Sequence, residues 1–287
     1  MKKSIKLRNF LGKSESDHFT AVIKFTLATE SWQRNRENLY KNPISAISPD
    51  ESFFAFSITP KLRISRIMRI AIGDIHGCLT SLRTMLDVIQ PTPDDLIVTL
   101  GDYVDRGPDS KGVIDDLLSL KKTHNFIHLM GNHEIQMIRA LETSQDRSRF
   151  LSGLCGGQDT LDSYGGGFDD VPEEHWDFIH SAELYHELEK HILVHAGIEE
   201  NIPVDSQDQE TYYYQRFHSQ QPHQSGKTVV CGHTIQGDLP SDLGYAICLD
   251  TCAYGGGWLS ALDVDTGKIW QTNEQGQSRE LHRNDLT

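Results

Sequence analysis

From Met68 onward, short apolar runs alternate with stretches of helical periodicity. The run around Ile70 to Ile72 is β-prone and ends at Gly73. Leu79, Leu82, Met85, Leu86 and Ile89 then recur at helical spacing, and Pro91 stops the helix. Leu96 to Leu100 reads as a strand, and Val113, Ile114, Leu117, Leu118 and Leu120 as the next helix. Phe126 to Met130 is a third strand, followed by a helix over Ile135 to Leu141. Glycines at 153, 156, 157 and 165–167 mark loops. Trp176 to Leu188 reads as helical, begun near Pro172. Strands follow at His191 to Val194, Thr228 to Cys231 and Ala246 to Leu249, with a polar stretch from Asn201 to Gly226 between the first two. Trp258 to Val264 alternates, Asp265-Thr266-Gly267 turns, and Lys268 to Gln271 returns as a hairpin. The last dozen residues are polar and read as a frayed end. This alternation predicts an α/β architecture of βαβ type with mostly buried strands.

Residues 1–67 read differently. They are basic, rich in Ser and Asn, lack a sustained period and are punctuated by Pro43, Pro49 and Pro60. We expect an N-terminal extension over 1–67, disordered or upstream of a native start at Met68, and a catalytic domain over 68–287. Charge divides at the same place: 12 Lys/Arg against 6 Asp/Glu up to residue 67, and 15 against 35 beyond it. The net charge of −14 argues against general binding to nucleic acid or anionic membrane. Five cysteines without a CxxC pair give neither a disulfide framework nor a zinc ribbon, and reduced thiols in a cytoplasmic protein are the simple reading. The apolar stretch Ala21 to Leu27 is far too short to span a bilayer.

The candidate chemistry collects just past the strands. Asp74 and His76 follow the first, Asp102, Asp105 and Arg106 the second, and Asn132 and His133 the third. His195 and His233 follow two later strands. The carboxyl ends of strands are where α/β sheets bind ligands. Oxygen and imidazole donors suit Mn, Fe or Zn. A carboxylate can bridge two such cations, which acidify water for attack on a phosphate ester. An arginine beside them can grip two phosphate oxygens in a fork.

The motifs Gly-Asp-Ile-His-Gly (73–77), Gly-Asp-Tyr-Val-Asp-Arg-Gly (101–107) and Gly-Asn-His-Glu (131–134), followed by His-Ala-Gly (195–197) and Gly-His-Thr (232–234), resemble the metallophosphatases of the phosphoprotein phosphatase family. The small bacterial and phage members are the most similar, over about residues 68–275. The resemblance implies a calcineurin-like fold, a central β-sandwich flanked by helices, with a dinuclear centre most simply filled by manganese, iron and zinc being alternatives. It implies that Asp74 and His76 hold the first ion, Asp102 bridges, and Asn132, His195 and His233 hold the second. His133 would be the general acid, oriented by Asp105. Arg106 and Asn132 would hold the phosphate, with Arg216 as a further clamp or a solvated loop arginine. Glu134 reads as a helix-start charge. Gly156-Gly157 with Thr160 and Ser163-Tyr164 resembles a segment of the bacterial members, either shaping the phosphate entrance or purely structural. His128, His175 and the remaining histidines lack a motif and read as packing or surface residues. The implied activity is dephosphorylation of protein at Ser/Thr or Tyr, by a monomer with no nucleic-acid or membrane partner. The alternative is hydrolysis of bis(5'-nucleosyl) tetraphosphates, whose enzymes share these motifs.

Overall fold

The computed structural model describes residues 66–286. The expected extension therefore lies outside the described residues, apart from its last two positions. Of these, Arg66 donates two hydrogen bonds to Asp263, at 2.8 and 2.9 Å.

The chain opens with β1 (Arg69–Ile72), α1 (Leu79–Ile89), β2 (Leu96–Thr99), α2 (Ser110–Thr123) and β3 (Asn125–His128). Four helices follow: α3 (Asn132–Arg139), α4 (Ser144–Phe150), α5 (Gly157–Tyr164) and α6 (Glu173–His180). Next come β4 (Tyr185–Glu187), β5 (His191–Val194), α7 (Gln209–Tyr214) and β6 (Thr228–Cys231). The chain then makes β7 (Ser241–Asp242), β8 (Ala246–Cys248), β9 (Asp250–Thr251), β10 (Trp258–Asp263), β11 (Lys268–Thr272) and β12 (Ser278–His282).

These strands make two sheets, in the order β12-β11-β10-β1-β2-β3, with β9 on β10, and β4-β5-β6-β8-β7. The central strands β1, β2 and β3 are mutually parallel, as are β5, β6 and β8. Side-chain alternation explains the layering. Ile70 and Ile72 face one way and pack with Leu82, Met85, Val113 and Ile114 of the helices. Ala71 faces the other way and joins Val98 to Leu193, Val230 and Ile247 of the second sheet. The outer face of that sheet, with Ile192, Val194 and Val229, is covered by Tyr212, Tyr213 and Phe217. The result is the expected β-sandwich flanked by helices.

Four local expectations change. The helix expected over Trp176 to Leu188 stops at His180, because Glu183 is drawn into pairing with the third strand. Its N–H donates to His128 O, and Met130 N–H donates back to Glu183 O. Tyr185 to Glu187 then pair antiparallel with β5. The polar C-terminal segment is not frayed, since β12 pairs with β11 over five residues. Arg279 covers the Trp258 ring at 4.2 Å, and Lys268 meets Glu280 at 2.8 Å. The glycine-rich middle holds a helix, α5, which starts straight after Gly156. Helix α3 begins at Asn132, three residues early, so Asn132, His133 and Glu134 form its first turn. Among the described residues no helix is long and apolar enough to cross a membrane.

Candidate active site

Both sheets aim their parallel strand ends at one place. Asp74 lies two residues beyond β1, Asp102 three beyond β2, His195 one beyond β5 and His233 two beyond β6. The loops carrying them are strained and tightly tied. Five of the non-glycine residues in the left-handed region are His76 (φ 47°), Asp102 (52°), Asp105 (73°), Arg106 (72°) and His233 (63°). Each such residue costs roughly 1–3 kcal/mol and persists only where its surroundings over-determine it. Here backbone hydrogen bonds do so, with Ile75 N–H and His76 N–H both donating to Asp102 O at 3.0 and 2.8 Å. Glu134, fully buried, fastens the second loop to the third. Its carboxylate accepts from the N–H groups of Asp102 (2.9 Å), Tyr103 (2.7 Å) and Gly131 (3.0 Å). It is thus the first-turn acid expected at this helix start, and it is also an internal anchor between the two loops. Burial and the neighbouring Asp102 push its carboxyl up to about 8, against those donors. Glycine is needed where the loops press together: a Cβ on Gly107 would lie 1.8 Å from His76 O, one on Gly232 1.9 Å from Asp74 Oδ1, and one on Gly131 2.2 Å from Asp102 Oδ1.

The expected ligands converge. Asp102 Oδ2 is 3.5 Å from His76 Nε2, and its Oδ1 is 3.4 Å from His195 Nε2. Asn132 Oδ1 is 3.0 Å from His195 Nε2 and 2.7 Å from His233 Nδ1. Both Asp74 oxygens accept from His233 N–H, at 3.1 and 3.0 Å. His76 Nδ1 is held by Val104 O at 2.8 Å and His195 Nδ1 by Leu100 O at 2.9 Å. Each bond places the proton on Nδ1 and leaves the Nε2 lone pair facing inward, the arrangement that orients an imidazole ligand. Burial lowers His76 and His233 to about 3 and lowers His195 too, which favours the neutral form of each ring. Burial, then Asp250 and Asp102, hold the Asp74 carboxyl well above its usual range. Burial alone would raise Asp102 as well, but His195, His133 and His76 bring it below the usual range.

This donor set fits a pair of divalent cations. His76, Asp102 and His133 form one group whose ligating atoms lie within 4.8 Å of one another; Asp102, His195 and His233 form another. Asp102 belongs to both, the place of a bridging carboxylate. Neutral imidazoles beside crowded buried carboxylates are what a hard-to-borderline cation would relieve.

Beside this centre, His133 Nδ1 meets Asp105 Oδ2 at 2.7 Å. Asp105 Oδ1 accepts from Thr160 Oγ1 at 2.7 Å, so the carboxylate is clamped from behind. Burial would lower His133, but Asp102 and the Asp105 bond raise it well above its ordinary value. Cations on Asp102 would offset the first of these and leave the second. Arg106 lies over the Tyr254 ring at 4.8 Å, with Nη1 3.1 Å from His76 Nε2.

Above the centre opens a cavity of about 590 Å³. Asp74, Asp102, Arg106, Asn132, His133, Arg216 and His233 line it, while His76, Asp105 and His195 are buried beside them. All ten sequence-derived residues thus meet at one site, Arg216 at its exposed rim. Sequence reading assigned no role to Asp250, Thr160, Arg149 or Tyr254. Asp250 ends an apolar run just as Asp74 does, and that signal was available. Burial pushes its carboxyl up to about 6. Thr160 answers the open question about the Gly156-Gly157 segment: it supports Asp105 through the start of α5.

The chain matches the model of the calcineurin-like phosphoesterases over residues 68–256. It is 43% identical over 68 residues to a symmetrical bis(5'-nucleosyl)-tetraphosphatase of Wigglesworthia glossinidia brevipalpis, covering 23% of this chain and 24% of that one. It is 37% identical over 83 residues to serine/threonine-protein phosphatase 2 of Salmonella typhimurium, covering 29% and 36%. In both cases the chain spans well under half of the relative's length. A solved cold-active protein-tyrosine phosphatase of a psychrophilic Shewanella superposes with a TM-score of 0.53 at 17% identity, covering 76% of this chain and 81% of that one, which shows the shared fold. With the family model spanning most of the chain, the protein belongs to the calcineurin-like phosphoesterase family.

Proposed function

We propose that this protein is a dinuclear metallohydrolase that removes phosphate from phosphorylated protein, at Ser/Thr or Tyr. The observation that carries this reading is the placement of the His133–Asp105 pair, joined at 2.7 Å, beside the shared carboxylate Asp102 on the floor of one open cavity. Asp74, His76 and Asp102 would hold one divalent ion and Asp102, Asn132, His195 and His233 the other, most simply manganese; such a pair neutralises phosphoryl charge and makes water acidic enough to be the nucleophile.

The chain's own residues do the rest. Asn132 and Arg106 hold phosphoryl oxygens, and Arg216 reaches them from the rim. Asp105 keeps the His133 proton inventory fixed: Nδ1–H donates to Asp105, and the Nε2 proton passes to the leaving oxygen. Thr160 keeps Asp105 from turning away. The rim favours a protein substrate. Leu154, 91% exposed, and Ile235, 49% exposed, offer apolar surface for residues flanking a phosphorylated side chain.

A dinucleoside tetraphosphate is the second reading. A third arginine, Arg149, and the Tyr214 and Tyr254 rings line the same cavity and suit a polyphosphate bearing bases. Metal-stripped protein re-supplied with Mn, Fe, Zn or Mg separates the two, assayed on phosphopeptides and on diadenosine tetraphosphate. We expect manganese-dependent release of phosphate from peptide to dominate. Preferential cleavage of the dinucleotide would overturn the protein-phosphatase reading.

A further inference from the structure

On the cavity wall a cysteine that the chemistry above does not use joins the acid–base pair to form a second donor cluster. Cys155, buried and immediately ahead of Gly156, points its Sγ at the acid–base pair. Sγ lies 3.5 Å from Asp105 Oδ2, 3.9 Å from His133 Nδ1 and 3.3 Å from Gln136 Oε1. The ligating atoms of Asp105, His133 and Cys155 all fall within 4.8 Å of one another. A tetrahedral zinc ion, with bonds of about 2.3 Å to sulfur and 2.0–2.1 Å to nitrogen and oxygen, sets its sulfur roughly 3.6 Å from each of the other two ligands. Cys155 already stands at that spacing. The same geometry sets nitrogen and oxygen roughly 3.3 Å apart. His133 and Asp105, now 2.7 Å apart, would have to separate by about 0.6 Å.

The surroundings aim these donors. Thr160 occupies Asp105 Oδ1, which leaves Oδ2 turned to the cluster. Gln136 Nε2 donates to Asn132 O at 3.3 Å, so its carbonyl oxygen faces Sγ, 3.3 Å away. Sulfur sets the cluster apart from the oxygen-and-imidazole centre at Asp102, because a thiolate selects softer cations.

We propose that Cys155, His133 and Asp105 form an inhibitory site for a borderline-soft divalent cation of the zinc type, separate from the catalytic pair. On binding, Cys155 loses its S–H proton and His133 its Nδ1–H proton, both to solvent. The Nδ1–H···Oδ2 bond breaks, and bonds from the ion to sulfur, nitrogen and oxygen replace it. The remaining Nε2–H then belongs to a neutral, metal-bound imidazole, a far weaker acid than an imidazolium. Protonation of the leaving group fails. The inhibition rests on His133 acting as the general acid, whereas the binding site does not.

Protein whose paired centre is saturated with manganese is titrated with Co²⁺, as a chromophoric probe, and with Zn²⁺. The expected result is a near-ultraviolet thiolate-to-cobalt charge-transfer band that is lost in C155S and in C155A. Cobalt exchanging into the paired centre gives no such band, because that centre has no thiolate. Zinc inhibition, read as treated over untreated activity within each protein, should need at least about tenfold more zinc in the variants. It should also be deeper for alkyl phosphates than for p-nitrophenyl phosphate. Absence of the band in the unsubstituted protein, its persistence in both variants, or coincident zinc curves overturns the proposal. A band without inhibition keeps the metal site and overturns the inhibitory route through His133.

Discussion

His133 is asked to give up a proton that its surroundings hold firmly. Asp105 at 2.7 Å stabilises the imidazolium, and Thr160 at 2.7 Å stops the carboxylate from turning away. Replacing His133 with Asn removes the proton source and leaves the Asp102 cluster intact. General acids of this kind typically contribute about 10²–10⁴-fold. We expect turnover of alkyl phosphates to fall by about that factor, while p-nitrophenyl phosphate, whose leaving group needs little help, loses less than about tenfold. Equal losses on the two substrates would contradict the acid role. The legibility of the site follows the same chemistry. Asp74, Asp102, Asn132 and His233 stand past strand ends directly after a glycine, and His195 directly follows a strand, two residues before a glycine, so backbone pattern and side-chain type announce them together. Thr160 and Cys155 could not be read that way. They reach Asp105 across some 50 positions of chain, Thr160 from a helix hidden among glycines and Cys155 from the turn just before it. Glu134 does stand in the first turn of α3, as its position suggests, but a carboxylate at a helix start looks the same in sequence whether it faces water or the buried N–H groups of Asp102, Tyr103, Val104 and Gly131.

At the scale of elements, strand β3 and helix α6 meet through a histidine that no motif marks. His128 is sandwiched between Phe126 and Phe178, with ring centroids 5.9 and 4.1 Å away. Its Nε2–H donates to Phe178 O at 2.8 Å. Burial lowers its pKa to about 4, against an ordinary 6.5. The unfolded chain therefore binds the extra proton between those values, and the folded one resists it. Its contribution to stability is complete above about pH 6.5, shrinks as pH falls towards 4, and changes no further below that. At 1.36 kcal/mol per unit the loss is about 3 kcal/mol. His128→Phe keeps the stacking, and Ser181 Oγ still donates to Phe178 O at 3.1 Å. Unfolding free energies measured from pH 4 to 7 should show a slope reduced by up to one proton in this variant. Parallel curves would show that His128 does not titrate on unfolding. The same region explains an error of element reading. The pattern over Trp176 to Leu188 continues helically on paper, but Glu183 has a strand edge beside it, and tertiary pairing outweighs local periodicity. Likewise β12 has no apolar face of its own. Its order comes from Arg279 on Trp258 and from the ladder to β11, both invisible in a polar tail.

Over the whole molecule, the site is a seam between two sheets. Asp74, His76, Asp102 and Asn132 come from the β1–β3 side, and His195 and His233 from the β5–β6 side. Without cations the seam brings together Asp74, Asp102 and Asp250, all at most 4% exposed, with Asp74 and Asp250 shifted towards the protonated form. Folding therefore concentrates negative charge at the point where the sheets join. Cations held there would remove that repulsion and link the two sheets through Asp102 and Asn132. Because the unfolded chain scatters these ligands, binding adds directly to folding stability. One site occupied at a hundred times its dissociation constant contributes about 2.7 kcal/mol. In a domain of this size each kcal/mol moves the melting temperature by about 2–4 °C. Manganese-saturated protein should therefore melt about 5–10 °C above the same protein in chelator, with more if both sites fill. Asp102→Asn removes the shared carboxylate's charge and should shrink that gap by more than half, although it also relieves some of the metal-free repulsion. Calorimetry of both proteins with and without chelator measures this. A melting temperature unmoved by chelation would mean that the seam holds itself together without cations, and the residues gathered at Asp102 would need another explanation.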